Sequence, residues 1–118
     1  MPTEVQLVSA APVLASLDIE KSVAFYCDNL GFTRIYAEAG IYGIVQRDQI
    51  ALHFWACQDP AIARATSCRI GVQGIEALYQ SCSDLGVVHP NAPLAEKPWG
   101  AKEFGVLDPD GNLVIFHQ

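Results

Sequence analysis

The sequence predicts an α+β fold made of two tandem βαβββ modules that curve a mixed sheet around a cleft. Three observations carry this. The segment Cys27-Asp28-Asn29-Leu30-Gly31-Phe32 recurs as Cys82-Ser83-Asp84-Leu85-Gly86-Val87, and internal repetition of this kind marks a duplicated unit. Each copy closes a stretch whose apolar residues recur every three to four positions, the period of a helix with one buried face. Around each helix lie short apolar or alternating runs separated by turn residues, which read as strands. At 118 residues a single domain is expected, with modules at about 8–57 and 66–118.

In chain order, the first strand is expected over Ala10 to Ala15. A helix from about Asp18 to Leu30 then places Ile19, Val23, Tyr26 and Leu30 on one face. Asp18 or Ser16 can cap its N-terminus, and Gly31 suits the left-handed residue that ends it. Three strands follow at Phe32–Ala37, Ile41–Gln46 and Ile50–Ala56, with Ala39-Gly40 and Arg47-Asp48-Gln49 as turns. Gln58 to Ala65 is a linker long enough for one helical turn. The second copy opens with a strand at Cys68 to Val72. Its helix, Gly74 to Leu85, buries Ile75, Leu78, Tyr79, Cys82 and Leu85, and Gly86 ends it. A short strand near Val87–Val88 comes next, then a long loop from Pro90 to Pro98. Strands Glu103–Leu107 and Leu113–His117 complete the module. One such unit exposes an apolar sheet face that it cannot bury alone, so the two are expected to pair.

Composition narrows the function. Thirteen acidic residues against seven basic ones give a net charge of −6. No basic patch offers itself to nucleic acid. The balance fits a cationic small molecule, and it fits plain solubility. No apolar run nears the roughly 20 residues that span a bilayer. The N-terminal stretch lacks the basic start and apolar core of an export signal, so a cytoplasmic protein is expected. Cys27, Cys57, Cys68 and Cys82 match no CxxC or zinc spacing and read as small buried hydrophobes. No GxSxG, P-loop or GxGxxG is present, and no catalytic residue is assigned. Trp99, pinned between Pro98 and Gly100, either plugs the end of the core or offers a flat contact surface.

Two segments carry a family resemblance: Asp18-Ile19-Glu20-Lys21-Ser22-Val23-Ala24-Phe25-Tyr26 before Leu30-Gly31-Phe32, and Asp108-Pro109-Asp110-Gly111-Asn112 before the last strand. In these the chain, from about Val8 to Gln118, resembles the vicinal oxygen chelate superfamily. That superfamily includes glyoxalase I, extradiol dioxygenases, fosfomycin-modifying enzymes and bleomycin-resistance proteins. Its enzymes hold a divalent metal on four strand positions, which by resemblance fall on Ala11, His53, Ser67 or Cys68, and Ile115. A slip of register brings in His117. Only His53 is a good ligand, and at least three are usually needed. No metal, no other cofactor and no enzymatic activity are therefore expected.

Within the superfamily, the metal-free bleomycin-resistance proteins are similar at Ser9-Ala10-Ala11-Pro12-Val13-Leu14, at Trp55-Ala56-Cys57-Gln58-Asp59, and at Pro98-Trp99-Gly100 followed by Glu103-Phe104. The resemblance implies that Trp99 and a first-half aromatic, Tyr42, sandwich the flat part of a bleomycin-type glycopeptide, with or without copper. Phe32, Trp55 and His53 are further candidates, and Gly100, Lys102 and Glu103 complete the set. Strand alternation lets only one of Phe54 and Trp55 face the cleft. Glu38, Glu96, Glu103 and Asp48 would favour a cation. Arg34, Arg47, Arg64 and Arg69 depart from the pattern, and Arg69 in particular favours a neutral or anionic ligand. The resemblance also implies a homodimer with clefts between subunits and an exchanged arm at Pro2 to Val8. Two alternatives stay open: a binder of another aromatic metabolite or toxin, and a metalloenzyme of the superfamily.

Overall fold

Two copies of the strand–helix–strand order appear in the computed structural model, which describes residues 4–118; Pro2 and Thr3, at the start of the expected arm, lie outside the described residues. Glu4 to Ala11 are exposed and without regular structure. The first module comprises β1 (Val13–Ser16), α1 (Ile19–Leu30), β2 (Thr33–Glu38), β3 (Tyr42–Arg47) and β4 (Ile50–Ala56). The Asp18 carboxylate caps α1 by accepting from the Lys21 N–H, and Gly31 closes it at φ 72°. Ser16, the other candidate cap, instead shares a hydrogen bond with the Ser22 hydroxyl at 2.6 Å. One turn of helix, α2 (Pro60–Ala63), links the modules.

The second module comprises β5 (Ser67–Gly71), α3 (Ile75–Asp84), β6 (Ala95–Glu96), β7 (Lys102–Leu107) and β8 (Leu113–His117). Its edge departs from expectation. Val88 makes only an isolated bridge to Val106, and the two-residue β6, inside the stretch expected as loop, pairs with β7. Prolines cannot donate to a ladder, so the stretch between these two pairings cannot run as one strand. Leu85, expected on the buried face, is 51% exposed. The helix ends at Asp84, and the chain turns away before Leu85 can reach the core.

The strands form two four-stranded mixed sheets, ordered β1-β4-β3-β2 and β5-β8-β7-β6. In each, the first strand runs parallel to the last. Side chains alternate across a strand, so each sheet has two faces. One face from each sheet enters a common core that holds Leu14, Val45, Leu52 and Phe54 from the first and Ile70, Phe104, Val106, Val114 and Phe116 from the second. Tyr26 on α1 is fully buried in it, 5.0 Å from the Phe54 ring centroid. The other face of each sheet turns away from this core.

Gly43 marks how tightly α1 lies on the first sheet. A Cβ there would stand 3.1 Å from both the Ile19 and the Val23 Cγ2 atoms. Both neighbours are β-branched and buried, so neither rotates aside cheaply. Gly43→Ala is expected to cost about 1–3 kcal/mol through overpacking. Equilibrium urea unfolding checks this, and a variant as stable as the parent would show that α1 shifts freely.

Candidate functional site: two outward aromatic faces

On the first sheet, alternation along β4 decides between two aromatics. Phe54 is buried against Tyr26, and Trp55 turns outward with 38% of its surface exposed. Tyr42 lies opposite Trp55 in the β3–β4 register, and Ile44 lies opposite His53. Val13 neighbours His53 across β1. Tyr42 and His53 share a hydrogen bond of 2.8 Å between the hydroxyl and Nδ1, with their rings edge-to-face at 5.5 Å. Next to them on β2, the Tyr36 hydroxyl donates to the Glu38 carboxylate at 2.5 Å. Exposed aromatic surface, two hydroxyls and one carboxylate thus share a single sheet face.

On the second sheet the outward face centres on Glu103. Trp99 stands in a turn closed by hydrogen bonds from Lys97 N–H to the Ala101 carbonyl and from Gly100 N–H to the Lys97 carbonyl. Gly100 sits at φ 93°, a conformation that other residues adopt only under strain. Trp99 is 66% exposed, so it does not plug the core. Its indole Nε1 donates to Glu103 Oε2 at 2.8 Å. Arg69 donates to both Glu103 oxygens, at 3.2 and 2.5 Å.

Arg69 first, and then the Trp99 N–H, hold the Glu103 carboxyl down to about 2, against its ordinary 4.5. A lowered carboxyl lends stability that is complete above its unfolded value and is lost as pH falls through its folded one. Here that window runs from about 4.5 down to about 2. The clamp is therefore intact throughout the neutral range.

The remaining candidates fall elsewhere. Phe32, expected along the cleft, is buried in the core, edge-on to Tyr26 at 6.0 Å. The turn at Gly31 folds it back beneath the helix. Lys102 occupies the strand position next to Glu103 and points the opposite way, where its ammonium meets Glu76 of α3 at 2.7 Å. Asp48 lies in the β3–β4 turn beside Arg47, at a cavity of about 520 Å³ that is lined on its inner side by Phe32, Ile70 and Phe116. A second, shallower cavity of about 400 Å³ adjoins Leu17, Arg64 and Asp110. Neither cavity is lined by Tyr42, His53, Trp55, Arg69, Trp99 or Glu103. Of the four arginines, Arg34 pairs with Glu20 and Arg47 donates to the Leu30 carbonyl; Arg69 belongs to the Trp99 face. Arg69, expected as a departure from the pattern, is bonded to Glu103, a contact that no local signal in the sequence marks.

The residues at the superfamily's metal positions do not fit a metal. Ala11 and Ile115 carry no donor atom, the Ser67 hydroxyl is a weak ligand, and the His53 Nδ1 is engaged by Tyr42. Divalent sites take three or more imidazole, thiolate or carboxylate ligands. Cys68 packs on the core side, where burial pushes its thiol up to about 11, so it is no thiolate at neutral pH. Among the described residues, no three His, Cys, Asp or Glu side chains stand together as a ligand set.

Two βαβββ modules sharing one core, each with an aromatic-bearing outer face, define a paired-module α+β fold. The model of the Glyoxalase/Bleomycin resistance protein/Dioxygenase superfamily matches residues 9–116, and the chain belongs to that superfamily. It is 36% identical to the bleomycin resistance protein of Geobacillus stearothermophilus over 129 residues, covering 95% of this chain and 97% of the relative. The bleomycin resistance protein of Staphylococcus aureus strain MRSA252 matches to the same extent. Among solved structures, the bleomycin-binding protein of Streptomyces verticillus complexed with copper(II)-bleomycin superposes with a TM-score of 0.86 at 32% identity, covering 96% of this chain and 97% of that one. The bleomycin resistance determinant encoded on the transposon Tn5 gives 0.81 at 29% identity, covering 95% and 98%.

Proposed function

We propose that the protein sequesters a flat, cationic drug of the bleomycin type, unaltered, in grooves formed where two copies of the chain meet. One observation carries this reading. Each outer face presents aromatic surface to solvent, Trp99 at 66% on one and Tyr36 at 46% with Trp55 at 38% on the other, in a chain whose core buries Tyr26, Phe54 and Phe104. Clustered exposed aromatics mark binding surfaces, and stacked rings add about 0.5–1.5 kcal/mol per pair beyond area burial.

Both faces turn away from the shared core, so one chain supplies two half-grooves, and a homodimer brings Tyr42 and Trp55 of one copy toward Trp99 of the other. Val5, Leu7 and Val8, exposed at 92%, 94% and 82%, are apolar enough to be covered by that partner. The net charge of −6 speeds encounter with a cation. The misfit to a metal at the superfamily's ligand positions favours binding over catalysis. Among the described residues no helix is long and apolar enough to cross a membrane, and four free cysteines suit the reducing cytoplasm. One feature favours a second reading, a planar neutral or anionic metabolite: both Glu103 oxygens are already bonded and Arg69 stands beside Trp99.

Calorimetric titration with copper-free bleomycin decides between them. Sequestration predicts saturation at about one drug per subunit, with Kd below about 1 μM, or more than about 8 kcal/mol, and recovery of the drug unchanged by mass spectrometry. Absence of heat would remove bleomycin and turn attention to other planar ligands. Sedimentation equilibrium of the same sample reads the dimer.

A further inference from the structure

We infer that Glu103 and Arg69 are positioning residues, which fix the Trp99 ring in its binding orientation before any ligand arrives. This rests on the reading of Trp99 as a stacking surface. The turn fixes the Trp99 backbone, yet at 66% exposure little packing restrains the two side-chain torsions. Its one side-chain hydrogen bond is to Glu103 Oε2. A carboxylate on a mobile side chain would be a poor anchor, but Glu103 is only 5% exposed. Arg69 reaches it from across a strand: Glu103 pairs with His117 of β8 and Arg69 with Ile115 of β8, and the guanidinium grips both oxygens.

A two-point guanidinium–carboxylate pair fixes the plane of the carboxylate as well as its place. The direction of its remaining lone pair, and with it the edge of the indole, is set by β5. A ring already oriented spares the ligand the cost of ordering it, which for one side chain is worth about two- to tenfold in affinity. The neighbours leave the clamp undisturbed: Lys102 is engaged by Glu76 on α3, Ala95 of β6 is the other residue opposite Glu103, and His117 faces it from β8.

The test uses a Trp55→Phe background, in which Trp99 is the sole tryptophan. Fluorescence anisotropy and acrylamide quenching are read first on the drug-free protein. Glu103→Ala is expected to lower the anisotropy and raise the quenching, and to raise the Kd for copper-free bleomycin about two- to tenfold. Glu103→Gln keeps an acceptor for the indole but loses the paired oxygens, and falls between. Without its guanidinium partner the Glu103 carboxyl returns toward the ordinary carboxylate range. Arg69→Ala therefore makes the Trp99 signal acid-sensitive between about pH 5 and pH 3, below the range in which imidazoles titrate, where the parent is flat. Unchanged anisotropy and quenching in Glu103→Ala would overturn the inference. If that variant does not fold, a flat Arg69→Ala profile overturns it equally. Failure of bleomycin to bind, with anisotropy still responding, removes the drug reading and leaves the positioning of Trp99 in place.

Discussion

Trp99→Ala is expected to weaken bleomycin binding by about thirtyfold or more and to leave the thermal unfolding transition where it stands in the parent. The two halves of this expectation come from the same geometry. Truncating an aromatic anchor at the centre of a binding surface costs about 2 kcal/mol or more, which is about thirtyfold in Kd. The ring is 66% exposed, and its one side-chain hydrogen bond is the one to Glu103, so its removal from the free protein is a surface change, worth about 0.5 kcal/mol or less. Calorimetric titration gives the first quantity and a melting curve the second. An affinity within threefold of the parent would refute the sandwich. A large drop in melting temperature would instead return Trp99 to the role of a core plug. Trp55→Phe is the natural companion, because a ring remains on the first face and the loss should be modest.

How far the sequence revealed this arrangement depends on the range of the interaction. Helix α1 was legible because all its signals are local: the Asp18 cap, the single apolar face and Gly31 at its end. The β4 strand was legible to the residue in extent, but alternation alone left Phe54 and Trp55 undecided. What decides them is Tyr26, a partner on α1 that selects Phe54 for the core. The same period-two rule already separated Lys102 from Glu103, and applying it there would have removed Lys102 from the candidate set. Strand β6 was hidden because two residues between prolines carry no periodicity. The Arg69–Glu103 clamp was hidden for a different reason. It joins β5 to β7 across β8, and nothing in the spacing of an arginine and a glutamate 34 positions apart shows which strand lies between them. Leu85 shows the limit of the repeat, since sequence equivalence with Leu30 did not bring equivalent burial.

Asp108→Ala is expected to destabilise the protein by about 3 kcal/mol or more, a fall of about 10 °C in melting temperature. Asp108 lies in the turn before β8 at 4% exposure, and its carboxylate is bonded on both oxygens. Oδ1 accepts from the backbone N–H groups of Asp110, Gly111 and Asn112. Oδ2 accepts from the Tyr26 hydroxyl at 2.8 Å and from Asn112 Nδ2 at 2.9 Å. Tyr26 belongs to the first module, and Asn112 Nδ2 also donates to the Ala15 carbonyl of β1, so this turn joins the two halves through buried hydrogen bonds. Removing the carboxylate strands the Tyr26 hydroxyl in the core, and an unsatisfied buried polar group costs about 1–3 kcal/mol. The turn loses its three backbone bonds at the same time. Burial is the larger influence on this carboxyl and raises it above the ordinary value, with the hydrogen bonds of Asn112 and Tyr26 pulling the other way. Those bonds offset a desolvation cost that persists at neutral pH. Asp108→Asn separates bonding from charge. One amide oxygen can still accept from the turn, and the Tyr26 hydroxyl can rotate to accept, but the new NH2 group faces the Asn112 amide donor to donor. A loss of about half that of the alanine variant follows. Urea unfolding of the two variants reads the difference. An alanine variant within about 1 kcal/mol of the parent would mean that water replaces the carboxylate and that the Tyr26–Asp108 bond adds little to the joining of the modules.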